Sequence, residues 1–257
     1  MLRPRIAPCL LVMNGGLVKT VCFGNPKYVG DPINAVRIFN EKEVDELIVL
    51  DIDATRLGRE PDYAMIRTLA AECRMPLCYG GGVRTVAQIE QIVSLGVEKV
   101  AIGAAAINAP DVLRRAAEVV GRQSIVAVAD VKLTSSGSYE LRVVNGTVAT
   151  GRNPLHFAAE MQTLGAGEIL LNSIDRDGQM KGYDLDLVAA VRKICSLPIS
   201  VLGGAGSLAD IGELFARVGT VGAGAGSLFV FKGKYRAVLI NYPNRQEKDQ
   251  IYRSVNS

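Results

Sequence analysis

Few residue types in this chain can carry chemistry. His156 is the only histidine, and the five cysteines (Cys9, Cys22, Cys73, Cys78 and Cys195) form no CxxC pair. Zinc sites and histidine-based triads are therefore nearly excluded, no metal or cofactor is expected, and acid–base work falls to Asp, Glu, Lys or Tyr. His156 itself reads as a surface or turn residue. An odd number of thiols at irregular spacing fits reduced, mostly buried side chains in a reducing compartment.

Carboxylates at the ends of apolar runs come next. Asp130 closes Ile125-Val-Ala-Val-Ala, and Val131 and Lys132 continue the extended pattern before any cap position arrives. Asp130 is accordingly the leading acid–base candidate. Asp51, Asp53, Asp175 and Asp177 end other runs, where a helix cap or an Asx turn is an equally good use, and Asp177-Gly178 reads as a turn. Glycines at Gly80–Gly82 and Gly203–Gly206, with Gly226 and Ser227, could let backbone N–H groups approach an anion. Tight turns alone would also account for them, but their duplication suits an elongated substrate with a phosphate at each end. Arg5, Glu46, Lys99 and Glu168 begin four runs and sum to zero charge. Pointing inward they must pair, because a lone buried charge is very costly; four unrelated surface residues fit the spacing as well.

The elements that must position these residues alternate. Short β-branched runs lie near Arg5–Val12, Glu46–Ile52, Pro76–Tyr79, Lys99–Ile102, Ser124–Asp130, Glu168–Asn172, Pro198–Leu202 and Thr220–Ala225. Amphipathic stretches such as Val86–Leu95, Pro110–Val120 and Leu208–Val218 separate them. Eight βα units in about 250 residues have the size and count of a closed parallel barrel, the TIM (βα)8 fold, with a doubly wound open sheet as the rival. An internal repeat supports the barrel. Cys78-Tyr-Gly-Gly-Gly-Val-Arg-Thr85 matches Val201-Leu-Gly-Gly-Ala-Gly-Ser-Leu208, Val100-Ala-Ile-Gly matches Val221-Gly-Ala-Gly, and Ile48-Val-Leu-Asp matches Ile169-Leu-Leu-Asn. Two duplicated half-barrels close into one α/β domain over residues 1–257, with the chemistry at the C-terminal ends of the strands.

Composition sets the outer bounds. The 257 residues are 49% hydrophobic and 21% charged, and Lys+Arg 29 against Asp+Glu 26 leaves a charge of +3. No basic run suggests nucleic acid, and no apolar stretch approaches the roughly 18 residues of a membrane span. Arg3 and Arg5 are interrupted by Pro4 and Pro8 without a small-residue cleavage site, which argues against a secretory signal and for the cytoplasm.

Across nearly its whole length the chain resembles HisF, the cyclase subunit family of imidazole glycerol phosphate synthase. The matching stretches are Arg5-Ile-Ala-Pro-Cys-Leu, Gly30-Asp-Pro, Asp45-Glu-Leu-Ile-Val-Leu-Asp-Ile, Gly80-Gly-Gly, Gly203-Gly-Ala-Gly206 and, most specific, the run from Gly165 to Gly178 ending Asn-Ser-Ile-Asp-Arg-Asp-Gly. The resemblance implies a partner, a HisH-like glutaminase, whose ammonia enters through a charged gate at the barrel floor: Arg5, Glu46, Lys99 and Glu168. It implies a bisphosphorylated ribonucleotide ligand held near Gly81, Gly82, Gly103, Ala104, Asp177, Gly178, Gly204, Gly226 and Ser227. Asp130 would be a catalytic acid–base residue, and Lys19, in a long loop after strand one, a substrate-closing lysine. The family's products are imidazole glycerol phosphate for histidine synthesis and an aminoimidazole carboxamide ribonucleotide.

Two departures stand out. Leu11 occupies the place of the family's second acid–base aspartate, and Gly103-Ala104 replaces an Asn-Thr pair that helps bind one phosphate. Leucine neither donates nor accepts a proton. The chain therefore looks like a HisF paralogue of the kind found with surface-polysaccharide (O-antigen) genes, passing ammonia to an amidotransferase acting on a nucleotide sugar. Pro26-Lys-Tyr-Val-Gly-Asp-Pro-Ile-Asn-Ala and Ile38-Phe-Asn-Glu-Lys-Glu-Val-Asp-Glu-Leu resemble that subgroup. A working cyclase is the alternative, and the sister isomerase HisA, which shares the repeat, is disfavoured by Leu11 and by the Asp175-Arg176-Asp177-Gly178 run.

Overall fold

The computed structural model describes residues 4–253, so Arg3 and the extreme ends of the 1–257 span lie outside the described residues. Eight strands form the central sheet: β1 (Arg5–Met13), β2 (Leu47–Asp51), β3 (Leu77–Gly80), β4 (Lys99–Ile102), β5 (Ile125–Leu133), β6 (Glu168–Ser173), β7 (Ile199–Leu202) and β8 (Gly222–Ala225). Each pairs in parallel with the next, and β8 returns to β1 in the register Arg5↔Gly222 to Pro8↔Ala225. Closure makes this a TIM (βα)8 barrel and excludes the open-sheet rival.

Helices α1 (Pro32–Glu41), α2 (Tyr63–Glu72), α3 (Val86–Ser94), α4 (Asp111–Val120), α5 (Pro154–Thr163), α6 (Leu185–Ile194) and α7 (Leu208–Val218) surround the barrel, and α8 (Arg245–Arg253) follows. Side-chain caps start most of them. Asp31, Asp62, Asn153 and Asp184 accept first-turn N–H groups, and Thr85 with Gln88 and Ser207 with Asp210 form capping boxes. Among the described residues no helix is long and apolar enough to cross a membrane.

The two-residue period of the strands divides the core. Outward-facing Ile6, Leu10, Leu47, Val49 and Tyr79 pack with Val36, Phe39, Ile66, Leu69, Phe157 and Phe215 of the helices. Inward-facing Ala7, Cys9, Leu11, Ile48, Cys78, Ala101, Val126, Leu170 and Leu202 fill the barrel.

Facing also corrects the register of the repeat. Glu46, Ile48 and Leu50 occupy in the first half the places of Glu168, Leu170 and Asn172 in the second, one residue away from the match of Ile48 with Ile169. Gly103 likewise corresponds to Gly226 rather than Gly224: each precedes a short helix (Ala104–Asn108, Ser227–Val230), with φ/ψ of −100°/−89° and −104°/−73°. Leu11 corresponds to Asp130.

Two features lie outside the eight-unit expectation. β1 and β5 both run on into antiparallel hairpins, Gly16–Val21 with Gly24–Gly30 and Tyr139–Val143 with Val148–Ala149. Asn14-Gly15, with φ of 50° and 76°, makes the first turn, because both residues tolerate the left-handed conformation that a tight hairpin demands. Lys19 is therefore in a strand, not in a loop. A further small hairpin joins Phe231–Lys232 to Ala237–Val238.

Candidate active site at the barrel mouth

All eight strands contribute, at their C-terminal ends, to a solvent-open cavity. Its wall contains every residue expected in the catalytic and phosphate-binding sets: Lys19, Gly81, Gly82, Gly103, Ala104, Asp130, Asp177, Gly178, Gly204, Gly226 and Ser227.

Asp130 points inward from β5 and accepts a 3.0 Å hydrogen bond from Asn172 Nδ2 on β6. The carboxylate is partly open to the cavity, but the cavity is deep in the protein. Desolvation therefore pushes its pKa up to about 6; the Asn172 bond opposes this and the charge of Asp177 adds to it. Such a carboxyl exchanges protons near neutral pH. Across the mouth Leu11 is 8% exposed and lines the same wall. Cys9, beneath it, is no substitute, since burial pushes its thiol up to about 11.

Lys19 is buried, and its ammonium donates to Cys9 O at 3.2 Å. It lies against Gly226, where a Cβ would collide with Nζ. Ser227 Oγ beside it is buried with no protein partner. On the other side of the mouth Gly81, at φ +127°, passes so close to β2 that a Cβ would lie 2.5 Å from Asp51 O. Only glycine fits there.

Several carboxylates serve the scaffold. Asp51 accepts from the N–H groups of Asp53 and Ala54, an Asx turn, and Asp53 pairs with Arg56 at 2.7 Å. Asp177 accepts from Thr20 Oγ1 at 2.6 Å and from the N–H of Phe23 at 3.2 Å, while its own N–H bonds to Ser173 O and Ile174 O. It ties the β1 hairpin over the mouth.

At the opposite end the four floor residues point inward and alternate in charge. Arg5 meets Glu46 at 3.2 Å and Glu168 at 2.7 Å; Lys99 meets each glutamate at 2.8 Å. Burial alone would push Glu168 up, but Lys99 and Arg5 outweigh it and hold the carboxyl below its usual range. Burial would lower Lys99, and Glu168 and Glu46 outweigh it to hold the ammonium above its usual range. The reading as unrelated surface residues is excluded. Ser200 Oγ adds a hydrogen bond to Glu168 that spacing had not suggested.

A family model described as "Histidine biosynthesis protein" matches residues 5–236. A provisionally named imidazole glycerol phosphate synthase subunit hisF3 of Vibrio vulnificus is 57% identical over 96% of each chain. The chain belongs to the HisF family. A provisionally named subunit hisF2 of Pseudomonas aeruginosa is 53% identical over 97% of this chain and 99% of its own. The imidazole glycerol phosphate synthase subunit HisF of Streptomyces coelicolor is 43% identical over 80% of this chain and 82% of its own.

As a HisF-family barrel, the chain keeps one inward carboxyl of a symmetric pair of positions. Sequence reasoning missed Asn172, which positions that carboxyl; the repeat carried its signal, but the register was one residue off. It also missed the hairpins, for which Asn14-Gly15 and Asn145-Gly146 were the visible marks.

Proposed function

We propose that this HisF-family chain is the barrel subunit of a glutamine amidotransferase complex that receives ammonia from a HisH-like glutaminase and passes it on without the family's cyclisation. The observation that carries this reading is Leu11, buried in the cavity wall at the symmetric counterpart of Asp130. Cyclisation needs protons both removed and delivered, and an aliphatic side chain does neither. The floor supports the ammonia role: Arg5, Glu46, Lys99 and Glu168 form a closed ring of alternating charge across the bottom of the barrel, where a gate would have to sit. Retained glycine cradles at the mouth suit an anionic ligand. The greater identity to hisF2 and hisF3 than to the Streptomyces coelicolor HisF is consistent with a divergent paralogue. The acceptor in this reading is an amidotransferase acting on a nucleotide sugar in surface-polysaccharide synthesis, within the cytoplasm.

The family's cyclase activity is the second reading, favoured by Asp130, whose pKa near 6 and bond to Asn172 keep one proton-transfer group in place. Supplying the purified chain with ammonium and the family's bisphosphorylated ribulosyl substrate separates the two. The first reading predicts no imidazole glycerol phosphate, whereas turnover on the scale of seconds would establish the cyclase.

A further inference from the structure

We infer that Arg142 is a specificity-determining residue of the mouth cavity, contacting an anionic group of its ligand from the hairpin opposite the one that carries Lys19. This rests on the reading that the cavity takes a ligand with two anionic ends.

The duplication relates the two hairpins that carry the cations, although not residue for residue: Arg142, opposite Asp130, matches Val18, opposite Leu11, and Lys19 is the next residue along. In each half the first strand, β1 or β5, continues into a hairpin that folds over the mouth. The β1 hairpin carries Lys19 beside Gly226, which follows β8, the barrel neighbour of β1. The β5 hairpin carries Arg142, and the barrel neighbour of β5 is β4, which Gly103 follows. Val131 pairs with Leu141, so the next residues along, Asp130 and Arg142, share the face of the hairpin that looks into the cavity. Both line it.

The guanidinium is only partly used. One Nη donates to Glu140 at 3.0 Å, and Glu140 is itself anchored by the N–H of Gly151 at 2.8 Å. Arg142 Nε is shut off from solvent and has no protein partner. A buried donor without an acceptor is unfavourable, and guanidinium geometry offers paired donors to a phosphate or carboxylate. Gly103 and Ala104 contribute no polar side chain to that part of the wall, which makes Arg142 the charged donor available there.

Calorimetric titration of the full chain with the family's bisphosphorylated ribulosyl compound tests this. Arg142→Gln is expected to weaken binding at least tenfold with an unchanged melting temperature, Arg142→Lys to recover part of the loss, and Glu140→Gln to bind as well as the parent chain. Binding within twofold of the parent in Arg142→Gln would overturn the inference. So would an equal loss in Glu140→Gln, which would make the pair structural. Absence of binding to the parent chain at millimolar ligand would overturn it too, while leaving ammonia handling, measured by glutamine turnover, untouched.

Discussion

Asp130 shows how position changes the acidity of an ordinary carboxylate. Its pKa is pushed up to about 6, so the folded protein binds its proton more tightly than the unfolded chain does. The charged form is therefore a destabilising feature that is absent below the unfolded pKa near 4 and complete above about pH 6. Replacing it with the neutral isostere should stabilise the fold: Asp130→Asn is expected to gain about 1–3 kcal/mol at pH 8, and nothing at pH 4, in denaturant unfolding. No difference between the two pH values would mean that the carboxylate is well solvated. Asp130 was legible in the sequence because an apolar run delivers it to a strand end. Its partner Asn172 was not, since recognising that bond requires knowing which strand neighbours which. At the floor the four residue types were legible and their pairing was not, because inward facing is a property of strand register. Lys99→Ala should lower stability by about 2–4 kcal/mol, as Glu46 and Glu168 lose a shared cation. In complex with the glutaminase it should impair glutamine-dependent transfer more than use of free ammonium; equal effects would remove the gate role.

The β1 hairpin is the element on which the mouth depends. Asn14-Gly15 turns the chain, Lys19 and Thr20 are carried inward, and Asp177 fastens Thr20 and Phe23 from the β6 loop. A charged acceptor lost from two hydrogen bonds weakens a local structure by about 2–4 kcal/mol. Asp177→Ala is therefore expected to accelerate amide exchange across Gly16–Gly30 by tenfold or more, with little change in the exchange of β2 or β3. Uniform protection would show that the hairpin is held by other contacts. The barrel strands were legible because β-branched runs bounded by helical stretches recur eight times. The hairpins were less so, since they follow the β1 and β5 runs with no helical stretch between, yet each holds an Asn-Gly pair.

For the whole molecule, the two ends of the barrel differ in their polar side chains. The floor has a closed ring of opposite charges, whereas the mouth has one inward carboxyl, Asp130, facing Leu11, with glycines in the wall. Acid protonates Asp130 at the mouth first and costs stability at the floor only later. Glu168, held below its usual range by Lys99 and Arg5, contributes stability that is present above the unfolded pKa near 4.5 and lost as pH falls through its lower folded value. If the rest of the mouth is intact, Leu11→Asp should restore measurable cyclase turnover in the presence of ammonium. Failure to do so would place the lesion at Gly103-Ala104 as well. The measurement that bears most directly on the central claim combines the chain with a HisH-like glutaminase and follows glutamine hydrolysis and imidazole glycerol phosphate in one reaction containing the bisphosphorylated substrate. Ammonia handling without cyclisation predicts a stable complex, glutamine hydrolysis at least tenfold above that of the glutaminase alone, and no imidazole glycerol phosphate. Imidazole glycerol phosphate formed in step with glutamine consumed would contradict it.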